Sequence, residues 1–260
     1  MITEASPTPI SPRGASSARR VLLKLSGEAL MGQRDFGIDQ DLLGALAREL
    51  SDVARTGVEI GIVVGGGNLF RGVQGSARGM NRTRADQMGM MATEMNALAL
   101  IDALEHIGQA AHGFCAIEMP RVMELFRHDL ADRALRAGAI CVFAGGTANP
   151  FFTTDSAAAL RAAELGCHAL VKGTQVDGVY EADPRQVPEA RRYSTLSFQT
   201  CLERQLKVMD TAAFAICQAE AIEVCVFDLH RAGALSRALQ GSAVGTRVGV
   251  GLPDQIAPSS

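Results

Sequence analysis

The chain has 260 residues, with 25 Lys and Arg against 28 Asp and Glu for a formal net charge of −3, and 47% of it is hydrophobic. That length makes one large domain or two small ones, and the apolar share excludes a disordered chain. Near-balanced charge argues against a protein that grips nucleic acid through phosphates, and the absence of Trp beside only 2 Tyr argues against an aromatic stacking platform. No apolar run approaches the ~20 residues of a membrane span.

Residues 1–18 are rich in Ser, Pro and Ala and lack the apolar core of a secretory signal, so they are expected to form a disordered tail. RRVLLKLS, from Arg19, reads as a strand, and Asp39 caps a helix whose Leu42, Leu43, Leu46, Leu50 and Val53 recur at three- and four-residue steps. VEIGIVV (58–64) is a β-branched run of the kind buried on both faces of a sheet. The Gly65-Gly66-Gly67 turn follows, then a long helix from about Arg84 to Ile107. QAAHGFCAI (109–117) and AICVFAG (139–145) are strand candidates flanking a polar helical stretch. A helix over about Thr154–Leu165 leads to the strand HALVKG (168–173). The chain then alternates a helix near 210–219, EVCVF (223–227), a helix near 232–240 and a last strand near Arg247. This alternation predicts an α/β fold, a three-layer sandwich around a largely parallel central sheet. A single domain over 19–250 is expected, with a flexible C-terminal tail at 251–260.

The six cysteines, Cys115, Cys141, Cys167, Cys201, Cys217 and Cys225, form no C-x-x-C pair and have no histidine at zinc-finger spacing. They read as small core hydrophobes. The five histidines lack ligand spacing, and no direct protein ligand for a metal is assigned.

Three segments join a buried strand to a helix through small residues: Lys24-Leu25-Ser26-Gly27-Glu28, VVGGGNLFRG (63–72) and FAGGTANPFFTTDSAAAL (143–160). Ligands of open α/β sheets sit at the carboxyl ends of the strands, where glycines let backbone N–H groups approach an anion. Neither a P-loop nor a dinucleotide fingerprint occurs. Three such loops with Lys24 and Arg71 at their mouths point to phosphate. Asp155 and Asp210 each read as a helix cap or as an acid of a nucleotide–Mg²⁺ site. Lys172 reads equally as a second cation and as a strand-end surface lysine.

With these residues assembled, the chain resembles the bacterial uridylate kinases (UMP kinases), a branch of the amino acid kinase family. The resemblance rests on VLLKLSGEAL (21–30), FGID (36–39), VVGGGNLFRG, GMNRTRADQMGMMAT (79–93), GTANPFFTTDSAAALRA from Gly146, KGTQVDGVYEADP (172–184), RQLKVMD (204–210) and GTRVG (245–249), all in family order over about residues 19–249. NPFFTTD and GMNR…MGM belong to the UMP kinase branch.

The resemblance implies transfer of the γ-phosphate of ATP to UMP, with Mg²⁺ accompanying ATP. It implies catalytic roles for Lys24, Arg71, Asp155 and Asp210. ATP would be held by Lys24, Leu25, Ser26, Gly27, Gly67, Arg71, Thr174, Tyr180 and Asp183. UMP would be held by Gly66, Asp86, Thr147, Ala148, Asn149, Pro150, Phe151, Phe152, Thr153 and Thr154. Gly32, Gln33, Arg34, Asp35, Phe36 and Gly37 fall where many members respond to GTP. A cytoplasmic homohexamer, activated by GTP and inhibited by UTP, is the family's usual form. Three residues depart from the pattern: Gln175 where Lys is usual, Ala148 where Gly is usual and Asp228 where Asn is common. If residue 148 has positive φ, Ala there costs about 1 kcal/mol. Two rival readings are another small-molecule kinase of the same family and a pyrimidine-sensing regulator without catalysis.

Overall fold

The computed structural model describes residues 18–70, 79–184, 186–206 and 208–258. Among these, ten strands make one sheet: β1 (Arg20–Leu25), β2 (Glu59–Val64), β3 (Ala111–Cys115), β4 (Glu124–Leu125), β5 (Ile140–Ala144), β6 (Ala169–Thr174), β7 (Tyr193–Ser197), β8 (Glu223–Asp228), β9 (Thr246–Gly249) and β10 (Gln255–Ile256). Their order is β10-β7-β9-β8-β6-β1-β2-β5-β3-β4. From β8 to β4 the neighbours are parallel, whereas β9 runs antiparallel to β8 and β10 antiparallel to β7. The helices are α1 (Gln40–Ala54), α2 (Arg82–His106), α3 (His128–Arg136), α4 (Thr154–Glu164), α5 (Phe198–Glu203), α6 (Thr211–Ala219) and α7 (Ala234–Gln240). The expected three-layer α/β sandwich is the observed architecture.

Strand alternation sorts the core into two layers. Val21, Leu23 and Leu25 of β1, with Ile60, Ile62 and Val64 of β2, face α1, α2 and α7. Leu22 of β1, Val63 of β2 and Leu170 of β6 face the opposite layer, built from α3, α4 and α6. Both faces of the central strands are covered, which is why their sequences are continuous apolar runs rather than alternating ones. Lys24, two residues beyond Leu22, therefore points to the α4 side.

Helix starts follow local chemistry. Asp39 accepts from Leu42 N at 3.1 Å, Asn81 from Arg84 N at 3.3 Å and Asp210 from Ala213 N at 2.9 Å, so each side chain satisfies a free N–H of its first turn.

Four elements were not anticipated from the sequence. β4 has two residues, too few for any period. β7 with α5 lies in YSTLSFQTCLE, whose mixture of hydroxyl and apolar residues hides the strand. β10 falls within the segment expected to be a flexible tail. It is anchored because Thr195 Oγ1 donates to Pro253 O at 2.7 Å and Ser197 N donates to Asp254 Oδ1 at 2.8 Å. Residues 1–17 of the expected N-terminal tail, and Arg71, lie outside the described residues.

Candidate functional site

The parallel register sets Lys24 of β1 directly beside Lys172 of β6. Both side chains point to the α4 face, where two neighbouring ammonium groups would repel one another without an anion between them. Asp155, in the first turn of α4, supplies it. Lys24 Nζ lies 2.8 Å from Asp155 Oδ1 and Lys172 Nζ lies 2.7 Å from Asp155 Oδ2. Lys172 also donates to Val208 O at 2.7 Å. Burial works to raise the Asp155 carboxyl, but the charges of Lys24 and Lys172 outweigh it and hold the group below the ordinary carboxylate range. Burial lowers Lys172, against the partial restoring pull of Asp155. The trio carries one net positive charge in a desolvated place.

Thr153 is the cap of α4, its Oγ1 accepting from Asp155 N at 3.0 Å, which leaves the Asp155 carboxylate free for the lysines. Asp210 serves as cap and site residue together. Beyond capping α6 it accepts from Ser156 Oγ at 2.9 and 2.8 Å and from the Thr153 hydroxyl, tying α6 to the start of α4.

On one side of Asp155 a cleft of about 150 Å³ is lined by Gly66, Asp86, Thr147, Asn149, Phe152, Thr153 and Thr154, with Phe70, Gly89, Met90, Thr93 and Gly146. Every one of the first seven is a residue for which the resemblance implies a UMP contact. Asp86 accepts from Phe151 N at 2.8 Å, and Arg82 Nε donates to both its oxygens at 2.8 Å. Phe151 is exposed and at φ 72, and Arg82 sits 5.4 Å from its ring centre. Ala148 has φ 62, so the strain foreseen for an alanine in glycine's usual place is present. Ala148, Pro150 and Phe151 shape the loop without lining the cleft.

On the other side a cavity of about 560 Å³ is lined by Thr174, Tyr180 and Asp183, as assigned, and by Lys172, Val179, Arg204, Leu206 and Val208 among others. Tyr180 donates its hydroxyl to Asp177 Oδ1 at 2.6 Å. Gln175 is exposed and lines neither cavity. Asp228 Oδ1 accepts from His230 N at 2.9 Å, closing a turn after β8.

The first two glycine loops pack against one another, and Gly66 and Gly146 reach the smaller cleft, whereas Lys24, Gly27 and Gly67 line neither cavity. A Cβ on Gly27 would stand 2.7 Å from Gly67 N and 2.9 Å from Gly65 O, and one on Gly66 would stand 2.7 Å from Ala92 Cβ and 2.8 Å from Gly89 O. Side chains at either place would push the loops apart. Ser26 follows β1 beside Gly27. Leu25 differs from expectation in one respect: its side chain is fully buried in the α1 layer, so only its backbone can face a ligand, and its carbonyl accepts from Gly65 N at 2.8 Å.

Asn68 and Asn96, which the sequence reading did not single out, hold these loops. They exchange amide hydrogen bonds at 3.0 and 2.7 Å, Asn96 Nδ2 donates to Gly65 O at 2.7 Å, and Asn68 Nδ2 donates to Gly37 O at 2.8 Å. Gly37 N in turn donates to Asn68 O at 3.1 Å, so the segment Gly32–Gly37 is bonded to the phosphate-type loop. The six cysteines form no disulfide and are buried, and burial pushes Cys141 and Cys217 up to about 12, as expected of core residues. No group of three or more His, Cys, Asp or Glu side chains among the described residues could hold a metal ion.

A cleft and a cavity flank the Lys24–Asp155–Lys172 cluster beside glycine loops, at the carboxyl edge of a parallel sheet, an arrangement suited to two phosphate-bearing ligands. Comparison with known proteins agrees. The model of the amino acid kinase family matches residues 19–228. A uridylate kinase of Paramagnetospirillum magneticum is 52% identical over 228 residues, which are 88% of this chain and 95% of that one. The solved structure of a UMP kinase from Bacillus anthracis superposes with a TM-score of 0.88 at 31% identity, covering 92% of this chain and 99% of the other. That of a UMP kinase from Ureaplasma parvum gives 0.84 at 35% identity, covering 89% and 99%. The chain belongs to the amino acid kinase family.

Proposed function

We propose that this chain is a UMP kinase that transfers the γ-phosphate of ATP to UMP, giving UDP and ADP. The observation that carries the reading is the placement of Asp155. It follows directly on the Thr153–Thr154 wall of the acceptor cleft, and it grips Lys172, which lines the nucleotide cavity, together with Lys24. A charge centre beside both cavities supports transfer of a phosphoryl group from a ligand of one to a ligand of the other.

The phosphate of UMP, with a second pKa near ~6, is mostly dianionic at neutral pH and is itself the nucleophile. No general base is needed. What the protein supplies is alignment of two anions and stabilisation of charge spread over the moving phosphoryl group. Lys24 and Lys172 do the latter from a desolvated position fixed by Asp155, with the Gly27 and Gly65–Gly67 backbone beside them. Tyr180, Thr174 and Asp183 hold the adenosine end, and Asp86 with the loop from Thr147 to Thr154 holds the uridine end. Arg71 completes the set in the family pattern. Asp155 and Asp210 are already engaged by lysines, hydroxyls and a backbone N–H, a donor set suited to Mg²⁺ that enters on the ATP phosphates rather than to a resident metal.

The chain acts in the cytoplasm as a homohexamer, activated by GTP and inhibited by UTP. Self-association is supported by Met88, Met91, Met95 and Leu98, exposed large apolar residues at steps of three and four along α2. No helix among the described residues is long and apolar enough to cross a membrane. A GTP response is supported by the bonds from Gly37 to Asn68 in the phosphate-type loop.

The test is Mg²⁺-dependent ADP formation from ATP with UMP, CMP, dUMP, carbamate and acetylglutamate offered in parallel. A strong preference for UMP with equimolar UDP is expected. A preference for carbamate or acetylglutamate, or UMP binding without turnover in the presence and absence of GTP, would overturn the assignment.

A further inference from the structure

A third cavity, of about 500 Å³, lies outside the transfer site, between the β7–β9–β10 end of the sheet and the start of α7. Four arginines line it: Arg192, Arg231, Arg237 and Arg247. Two are engaged. Arg247 forms a two-point pair with Glu223, at 2.7 and 2.5 Å. Arg192 lies 3.1 Å from Asp177 Oδ2 and donates to Gly245 O at 2.5 Å. The side chains of Arg231 and Arg237 are exposed and, among the described residues, have neither a hydrogen bond nor a carboxylate partner.

Four guanidinium groups gathered round one cavity make a positive field that favours an anion, and their planar forks match phosphate oxygens. The volume falls in the range of small-molecule sites. We propose that this cavity binds a small diphosphate-bearing anion, separate from both substrates, through Arg231 and Arg237 with Arg192 at its inner wall.

The cavity backs onto the nucleotide site. Asp177, the carboxylate that holds Arg192, also accepts the Tyr180 hydroxyl, and Tyr180 lines the ATP-side cavity. An anion that draws Arg192 toward itself loosens Asp177 and with it Tyr180. Occupancy is therefore read out as a change in the KM for ATP, while the residues at the transfer point are untouched.

The experiment is calorimetric titration of Mg²⁺-free protein with pyrophosphate at near-physiological salt, comparing the unmodified chain with an Arg231→Ala/Arg237→Ala variant and with Arg237→Glu. The transfer-site cavities contribute equally to all three proteins, so the difference isolates the arginine cavity. The unmodified chain is expected to show one additional site per chain, weakened about tenfold or more in both variants. Basal turnover without added anion is expected to be unchanged, which also certifies that the variants fold. A parallel titration with cytidine diphosphate separates the two sources: a tighter additional site than pyrophosphate gives marks a nucleotide ligand, and equal affinity marks a bare diphosphate. Identical isotherms for the three proteins, or an additional site whose occupancy leaves the KM for ATP unmoved, would overturn the proposal.

Discussion

Asp155 does at residue scale what neither lysine could do alone. Buried beside two ammonium groups, it sets their positions and leaves one uncompensated charge, which in the proposed mechanism serves the transferred phosphoryl group. Lys24 and Asp155 are legible in the sequence because one ends a strand and the other starts a helix, both at a glycine loop. Lys172 is only half legible, as a second cation or a surface lysine, since the choice depends on the β1–β6 register, which no local pattern displays. Burial lowers Lys172, so its charge is present below its folded pKa and lost as pH rises through it. Turnover should therefore fall on the alkaline side before the ordinary lysine range near ~10.4. A pH profile of kcat flat up to that range would contradict the role. Ala148 offers a second check. At φ 62 its Cβ is strained, and Ala148→Gly should stabilise the protein by up to about 1 kcal/mol after the entropy of the added glycine is counted. For a chain of this size that is a rise in Tm of roughly 2–4 °C, and a fall in Tm would show that the loop gains more from the side chain than it loses.

At the scale of elements, α2 is more than a covering helix. Its Gly89 and Ala92 accept the close approach of Gly66, and its Asn96 bonds the Gly65 carbonyl and Asn68. Period and composition predict such a helix, but an asparagine in mid-helix reads as a surface residue until the turn it supports is folded against it. Asn96→Ala would leave the Gly65 carbonyl and the Asn68 Oδ1 without their Asn96 donor, while Asn68 keeps its bond to Gly37 O, at a cost of about 3 kcal/mol. Chemical denaturation measures it, and a loss below about 1 kcal/mol would mean that water replaces the amide. The strands β1, β2, β5, β6 and β8 were legible because burial on both faces makes them unbroken apolar runs. β7 and β10 were not, because they sit toward the sheet edge, where polar residues are tolerated and pairing depends on distant contacts such as Ser197 with Asp254.

For the molecule as a whole, the sheet places the glycine loops on one edge, beside a smaller cleft and a larger cavity that we assign to the acceptor and to ATP. The face of α2 bearing Met88, Met91, Met95 and Leu98 is left uncovered in a single chain. If it is the seam between subunits, Met91→Asp with Met95→Asp should reduce the sedimenting species to a smaller assembly. An unchanged sedimentation coefficient would place the seam elsewhere. The transfer site itself was legible largely through motif order, while the acceptor's identity came from the resemblance of the 146–155 loop and not from geometry.

The most direct test of the account is the steady-state kinetics of Lys24→Ala with UMP and Mg·ATP. If the lysine pair stabilises the transition state, kcat falls by about 10²-fold or more while the KM for UMP changes only a few-fold. An unchanged kcat with weaker ATP binding would contradict it, leaving Lys24 as an anchor for ATP and the charge centre at Asp155 without its catalytic role.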